Sequence, residues 1–554
     1  MMKNKHVNKY RRYESIQLAD RTWPDQVIEQ APIWCSVDLR DGNQALPTPM
    51  GIREKMDMFL FLKNMGYQEI EIGFPSASET EFRFLRRLIE EGAAQGVTIQ
   101  VLTQAREHLI KRTFEALQGA ERAIVHVYNS TSTQQRNMVF QKSREEIKEI
   151  AVAGAKMLQE EAARYPETQF MFEYSPESFT GTEMDYAVDV CNAVIDVWQP
   201  TPEHKIILNI PATVEMSSPN VYADQVEWFC RHIKHRDAVL VSLHAHNDRG
   251  TAVAATELAL LAGADRVEGT LFGNGERTGN VDILNLAMNL YSQGIDPGVY
   301  VENINEISDM YKRCTGMSIH DRHPYAGKLV YTAFSGSHQD AIRKGLQYNE
   351  EHGYQHWDVP YLPINPDHIG REYEPIIRIN SQSGKGGVAF ILEQEFGYKL
   401  PKNMHPEASA PVQKASDETG RELSPVEIFD IFSREFINVE EPLALVYYKS
   451  TFEDKKEDGV RIKGMVRLDG KEEKIRGTGN GPISAFFHAL KDLGYEGYKL
   501  VDYTEHAISD GADAMAAAYI VLSREDGIMH YGVGLDSNIN KASIKALISA
   551  LNRF

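Results

Sequence analysis

From residue 33 to about 272 the sequence passes eight times through one cycle: a short β-branched run, a polar or Gly-rich loop, then a longer segment with helical apolar spacing. The runs are IWCSVDLRD ending near Asp41, EIEIGFP near Pro75, VTIQVLTQ near Gln104 and AIVHVYNS near Ser130. FMFEYSPE ends near Glu177, IILNIPATV near Val214, VLVSLHAHND near Asp248 and RVEGTLFGNG near Gly275. Strands that alternate with helices pair in parallel through right-handed crossovers, and eight units in about 250 residues predict a closed (β/α)8 TIM barrel of the α/β class. An open doubly wound sheet is the competing fold. The barrel is favoured because acids, histidines and amides fall at the C-terminal ends of the runs, where such barrels assemble their sites.

Beyond the eighth run the pattern changes. Residues 282 to about 380 read as helical and polar, and residues 401–424, rich in Pro, Ser, Ala and charge, read as a connector. The expected organisation is an N-terminal arm (1–30), a barrel catalytic domain (31–325), a post-barrel linker with helical subdomains (326–436) and an α+β module (437–554). That last module holds a weak repeat: a strand, Gly477-Thr478-Gly479 and the helix ISAFFHALKDL, then a strand, Gly532-Val533-Gly534 and the helix KASIKALISALNRF. Such a duplication can build a small-molecule site or dimer contact at its pseudo-twofold axis, or be purely structural.

Composition excludes several function classes. A chain of 554 residues holds more than one domain, and its formal charge of −20 disfavours sequence-independent binding to nucleic acid or anionic lipid. No run approaches the roughly 18 apolar residues of a membrane span. The four cysteines, Cys35, Cys191, Cys230 and Cys314, form no CxxC pair and fit a reducing cytoplasm. The basic start MMKNKHVNKYRRY lacks an apolar core and reads as an arm.

The sharpest chemical signal is His244-Ala245-His246 at the end of the seventh run. Residues i and i+2 of a strand share a face, so both imidazoles can reach one ion; two satisfied core histidines are the competing reading. Asp41, ending the first run, would neighbour the eighth strand on barrel closure, and Asn280 in GNGERTGN could add an amide oxygen. Two imidazoles, a carboxylate and an amide suit a divalent ion with open positions; Zn2+, Mn2+ and Mg2+ are all admissible. Beside Asp41, Arg40 could neutralise an alkoxide or enolate oxygen, or be a plain ion pair. Glu177 is expected to partner Arg40 or a ligating histidine.

Taken together, DLRDGNQ, FEYSPESFTGTE, NIPATVE, LHAHNDRGTA and FGNGERTGN resemble the α-isopropylmalate synthase family in its longer form. HPYAGKLVYTAFSGSHQDAI, VPYLPINPDHIGR, NSQSGKGG and RGTGNGP extend the likeness to the C-terminus. The resemblance implies a Claisen-type condensation of acetyl-CoA with α-ketoisovalerate, a bound divalent metal, and K+ as activator. It implies keto-acid contacts at His126, Ser175 and Thr213, and assigns His338 and Tyr361 to removing the acetyl proton. It further implies a homodimer in which His338 and Tyr361 act in trans, and leucine as inhibitor bound by the C-terminal module, whose glycines would let backbone N–H groups approach the amino acid's carboxylate. The family pattern HPYGG is HPYAG here, so a strained turn is expected at Ala326. Ser383-Gly384-Lys385-Gly386-Gly387 is a candidate contact for CoA phosphates, against an ordinary turn. DxRDG and HxHND alone are shared with homocitrate and citramalate synthases and with hydroxymethylglutaryl-CoA lyase. A metal-binding amino-acid sensor without turnover is the reading from another class.

Overall fold

The computed structural model describes residues 6–10, 12–333, 336–353, 355–373, 386–419, 423–452, 459–508 and 514–554. Eight parallel strands close into a barrel in chain order: β1 (Ile33–Ser36), β2 (Glu69–Gly73), β3 (Thr98–Gln104), β4 (Arg122–Ser130), β5 (Gln169–Glu177), β6 (Ile206–Ala212), β7 (Val239–Ala245) and β8 (Arg266–Gly269). Closure pairs Cys35 with Glu268 and Ser36 with Gly269. The helices between and after them are α1 (Ile52–Asn64), α2 (Glu79–Glu90), α3 (Glu107–Leu117), α4 (Arg144–Ala162), α5 (Met184–Trp198), α6 (Pro219–His232), α7 (Ala252–Leu261) and α8 (Ile283–Ser292). Their starts are encoded locally. Ser143 and Glu146 form a reciprocal capping box on α4, and the Asp282 carboxylate accepts the Leu284 and Asn285 N–H groups of α8.

Strands β1 and β8 are shorter than their apolar runs. Residues 38–42 leave the ladder as a wide helical turn, tied to the β8 turn because the Asp38 carboxylate accepts the Leu271 N–H at 3.1 Å. The barrel interior also departs from the usual apolar filling. Arg266, fully buried, donates to Glu69 (2.6 Å), Ser242 (2.8 Å), Glu268 (2.8 Å) and Gln100 (2.7 Å), and Gln100 in turn donates to Glu268 (2.7 Å). Removing one member of such a network strands a buried charge, at a cost of about 3–5 kcal/mol.

Two compact units emerge, Met1–Val330 with Ile364–Glu372, and Tyr331–Pro363 with Tyr373–Phe554. The first also carries α9 (Ile304–Thr315); the second carries α10 (Gly336–His352), α11 (Gly386–Phe396), α12 (His405–Thr419) and α13 (Pro425–Phe436). Helix α12 lies where the sequence suggests a connector. Pro406 falls in its first turn, which tolerates proline, and Ala408, Val412 and Ser416 form a buried stripe that holds the helix despite Pro411. The strain expected at Ala326 is absent. Positive φ (59°) falls on Tyr325 instead, and a Cβ at Gly327 would overlap the Asp321 carbonyl.

The C-terminal repeat is two β-β-β-α units. β9 (Leu443–Phe452), β10 (Val460–Leu468) and β11 (Lys471–Gly479) precede α14 (Pro482–Ala489); β12 (Tyr498–Ala507), β13 (Ala516–Arg524) and β14 (Met529–Asp536) precede α15 (Ile539–Leu551). Each first strand bulges at its fourth residue, Val446 in one and Val501 in the other. The glycines do not open toward a ligand as expected from sequence. Added Cβ atoms at Gly477 and Gly534 would overlap the carbonyls of Ala485 and Ala542, so these glycines let each helix press onto its strand. Both halves share one apolar core, which includes Ile462, Phe486, Ile520 and Leu547. The β12–β14 sheet is covered on its other face as well, where Tyr519, Val521 and Val533 pack with Ile428, Phe432 and Phe436 of α13. On β10, Arg461, Lys463 and Arg467 face outward and exposed.

Candidate active site

At the C-terminal end of the barrel a cavity of about 360 Å³ is lined by Arg40, Asp41, His126, Ser175, Glu177, Thr213, His244 and His246. These come from the ends of β1, β4, β5, β6 and β7. The wide turn after β1 presents Asp41, and β7 delivers His244 with His246 two residues on. Asp41 Oδ2 lies 3.2 Å from His244 Nε2 and 3.7 Å from His246 Nε2. One ligand atom from each of the three residues falls within 4.8 Å of the others. Asn280 joins them by donating its Nδ2 to Asp41 at 2.8 Å, while its own Oδ1 and His246 Nδ1 are buried without a partner among the described residues. The unpartnered Asn280 oxygen beside a carboxylate and the two Nε2 atoms that face it is a donor set that a divalent ion would satisfy.

The electrostatics separate the two imidazoles. Burial opposes charge on His244, but Asp41 and Glu268 on either side raise it from 6.5 to about 9. Burial and the neighbouring His244 lower His246 to about 4. Burial would raise Asp41, yet Arg40 and the two histidines hold it well below the usual carboxylate range. The cluster therefore keeps a carboxylate and one neutral imidazole at neutral pH, with a proton on the other that an ion would displace.

Two acids that sequence reasoning missed position these groups. Glu268 accepts His244 Nδ1 at 2.8 Å, the outer carboxylate that orients a ligating histidine. Glu71 accepts Arg40 Nε at 2.6 Å while Arg40 Nη1 lies 3.0 Å from Asp41. The expected role of Glu177 as partner of Arg40 or a ligating histidine is thus corrected: Glu177 bonds Ser130 and lines the cavity. In the closed strand order β1 has β2 and β8 as neighbours, so the partners of residues after β1 come from there, and β5 lies opposite. The signal was present in EIEIG and RVEG, where acids alternate with apolar residues inside runs that are otherwise buried. Buried Lys55 further fixes the β1 turn by donating to the Leu39 carbonyl at 3.0 Å and to Glu81.

His126 Nε2 lies 2.7 Å from Ser175 Oγ, which also accepts Asn209 Nδ2 at 3.0 Å. Thr213 accepts the Ser178 N–H through Oγ1 and the Arg277 guanidinium through its carbonyl, at 2.9 and 2.6 Å. His338 and Tyr361 belong to the second unit. Their rings stack on each other at 4.1 Å, and Tyr361 is 61% exposed with φ of 66°. Ser383, Gly384 and Lys385 of the candidate CoA-phosphate contact lie outside the described residues, while Gly386 and Gly387 open α11.

Known proteins share this architecture. Residues 31–311 match the HMGL-like family, residues 328–393 the alpha-isopropylmalate synthase post-catalytic domain-like family, and residues 422–554 the LeuA allosteric (dimerisation) domain. A 2-isopropylmalate synthase of Clostridium acetobutylicum is 56% identical over 553 residues, covering 99% of each chain. One from Acetoanaerobium sticklandii is 54% identical over 549 residues, covering 99% of this chain and 97% of its own. A third, from Rhodospirillum rubrum, is 54% identical over 546 residues, 98% of each. With likeness at this level running through barrel, middle segment and C-terminal module alike, the chain belongs to the 2-isopropylmalate synthase family.

Proposed function

We propose that the chain condenses acetyl-CoA with α-ketoisovalerate and water to give 2-isopropylmalate and CoA, the committed step toward leucine. The observation that carries this reading is the meeting of Asp41, His244 and His246 beside Arg40, at the wall of a cavity sized for a small keto acid. Asp41, His244 and His246 would hold the divalent ion, with Asn280 at its edge. Mg2+, Mn2+ and Zn2+ all suit that set, and K+ is read as an activator. Such an ion supplies chelation and polarisation of a 2-oxo acid.

The chain's own residues do the rest. Ser175 and Thr213 at the ends of β5 and β6, with His126 behind Ser175, would hold the keto-acid carboxylate. Arg40, kept charged and oriented by Glu71, points a guanidinium at the oxygen that gains negative charge as the ketone is attacked. His338 takes a proton from the acetyl methyl, with stacked Tyr361 orienting it. The methyl carbon bonds to the keto carbon, the ketone oxygen takes up a proton, and water adds to the thioester as the CoA thiol leaves. Glu177, which lines the cavity, would manage that water. We read the C-terminal β-β-β-α pair as the leucine-responsive, dimer-forming module of a homodimer. No described helix is long and apolar enough to cross a membrane, and a cytoplasmic location completes the reading.

The test is thiol release from acetyl-CoA by metal-loaded protein with α-ketoisovalerate, pyruvate or 2-oxoglutarate, each with and without leucine. Preference for α-ketoisovalerate with inhibition by leucine is expected. Release that ignores the keto acid would refute condensation; preference for another keto acid would keep the chemistry and overturn the substrate.

A further inference from the structure

The loop between β8 and α8 places an arginine where its backbone favours glycine. Residues 273–280 close on themselves: the Asn280 N–H donates to the Gly273 carbonyl at 3.1 Å, and the Gly279 N–H to the Glu276 carbonyl at 2.9 Å. Gly273, Arg277 and Gly279 all have positive φ, at 71°, 57° and 96°. Glycine adopts such a backbone freely and arginine does not, so the turn explains the two glycines, whereas Arg277 calls for a use of its side chain. That side chain lines the cavity and reaches the ends of two other strands. Beyond β7, its Nε donates to Asp248 Oδ1 at 2.7 Å and its Nη2 to Asp248 Oδ2 at 3.1 Å. Beyond β6, Nη2 also donates to the Thr213 carbonyl at 2.6 Å. Asp248 Oδ2 in turn accepts the Glu215 N–H at 3.0 Å, so the chain is gripped on both sides of Val214. Beyond β5, the Ser178 N–H donates to Thr213 Oγ1 at 2.9 Å. The leg of the loop that carries Asn280 is tied separately, by the Asn247 N–H to the Gly279 carbonyl at 3.0 Å and the Val281 N–H to the Ala245 carbonyl at 2.7 Å.

We propose that Arg277 is a positioning residue for the keto acid: by clasping Asp248 and the Thr213 carbonyl it joins the ends of β6, β7 and β8, and so holds the Thr213 hydroxyl at the substrate carboxylate. The inference rests on the reading of Thr213 as a keto-acid contact. A planar guanidinium suits the task, because its fork serves one carboxylate with two N–H groups and still has an N–H for the carbonyl. A lysine ammonium, a point charge on a flexible stem, does not hold both acceptors in one plane. Arg277 acts on the substrate through Thr213, and the metal-ligating side of the loop does not depend on it.

The Arg277 side chain is 42% exposed, so it can be replaced without opening a hole in the core. In full-length, metal-loaded protein, R277Q should raise the α-ketoisovalerate KM about tenfold, while kcat and the acetyl-CoA KM change less than about threefold. R277K should fall between R277Q and wild type. Mn2+ affinity of R277Q, by calorimetry, should drop less than about threefold, short of the roughly 10–100-fold that follows loss of a partner orienting a metal ligand. In a T213V background R277Q should add less than about twofold to the keto-acid KM, because the hydroxyl it positions is gone. Amide exchange in R277Q should quicken at Ser178 and Glu215, whose acceptors the clasp holds, with the β7 amides unchanged. An unchanged keto-acid KM in R277Q, a tenfold rise that persists in T213V, or a collapse of Mn2+ affinity would each overturn the proposal. If T213V itself leaves the keto-acid KM unchanged, the reading of Thr213 fails; exchange at Ser178 and Glu215 then still decides the clasp, and unaltered exchange there in R277Q would overturn it.

Discussion

The split between the two site histidines predicts how many protons the metal displaces. In the metal-free protein His244 is held charged up to about pH 9, while His246 is neutral above about pH 4. An ion that takes both imidazoles should therefore release one proton per site at pH 7.5, and affinity should climb about tenfold per pH unit up to about pH 9, then level off. The stability of the metal-free protein runs the other way. A histidine raised from 6.5 to about 9 contributes stability that is fully present below pH 6.5 and is lost as pH rises through 9, here about 3 kcal/mol. Isothermal titration of Mn2+ into metal-free protein, in two buffers of different ionisation enthalpy, counts the protons. Thermal melts of the metal-free form from pH 6 to 9.5 read the stability. Glu268→Gln should lower metal affinity about 10–100-fold and move the break in the pH profile downward, since one of the two groups raising His244 is gone. Release of two protons or none, or a break unmoved in Glu268→Gln, would refute the reasoning.

Arg40→Lys cannot serve both Glu71 and Asp41, and should lower kcat about 100-fold with little change in keto-acid KM, measured by thiol release. His338→Ala should cut turnover strongly while keto-acid binding, followed by calorimetry, stays nearly intact; unchanged kcat would remove it from the mechanism. Lys55→Met leaves Glu81 and the Leu39 carbonyl without their donor and should cost about 3–5 kcal/mol in urea denaturation. Truncation after Phe436 should abolish leucine inhibition, but it also strips β13 and β14 from Ile428, Phe432 and Phe436. The truncated chain should therefore aggregate unless those three positions are made polar, which light scattering would show.

The barrel was legible because period and strand-end chemistry survive in a single chain: β7 places His244 and His246 on one face whatever surrounds it. Asp41 was legible for the same reason, although its turn was not, since the coil over residues 38–42 depends on a bond from Asp38 to a residue 233 positions away. What failed was pairing. Arg40 gives no hint in sequence of which acid it meets, because that is decided by which strands flank β1 once the ring closes. Glu71 and Glu268 hid in strands whose alternation of acid and apolar residue looks like a solvated edge. The helix over residues 405–419 hid behind composition, as two prolines outweigh a short buried stripe to the eye but not in packing.

The two β-β-β-α halves are built alike, down to the position of the bulge, yet among the described residues the β12–β14 half alone has an apolar cluster on both faces. A duplicated unit begins with two equal copies, and burial then decides which of them can drift. Tyr519, Val521 and Val533 are buried on one face of that sheet and Ala518, Ile520 and Leu522 on the other, so that copy tolerates little replacement. The outward face of β10, carrying Arg461, Lys463 and Arg467, is exposed. Differences in surface chemistry between related chains should therefore accumulate in the first copy, while the second preserves the ancestral pattern.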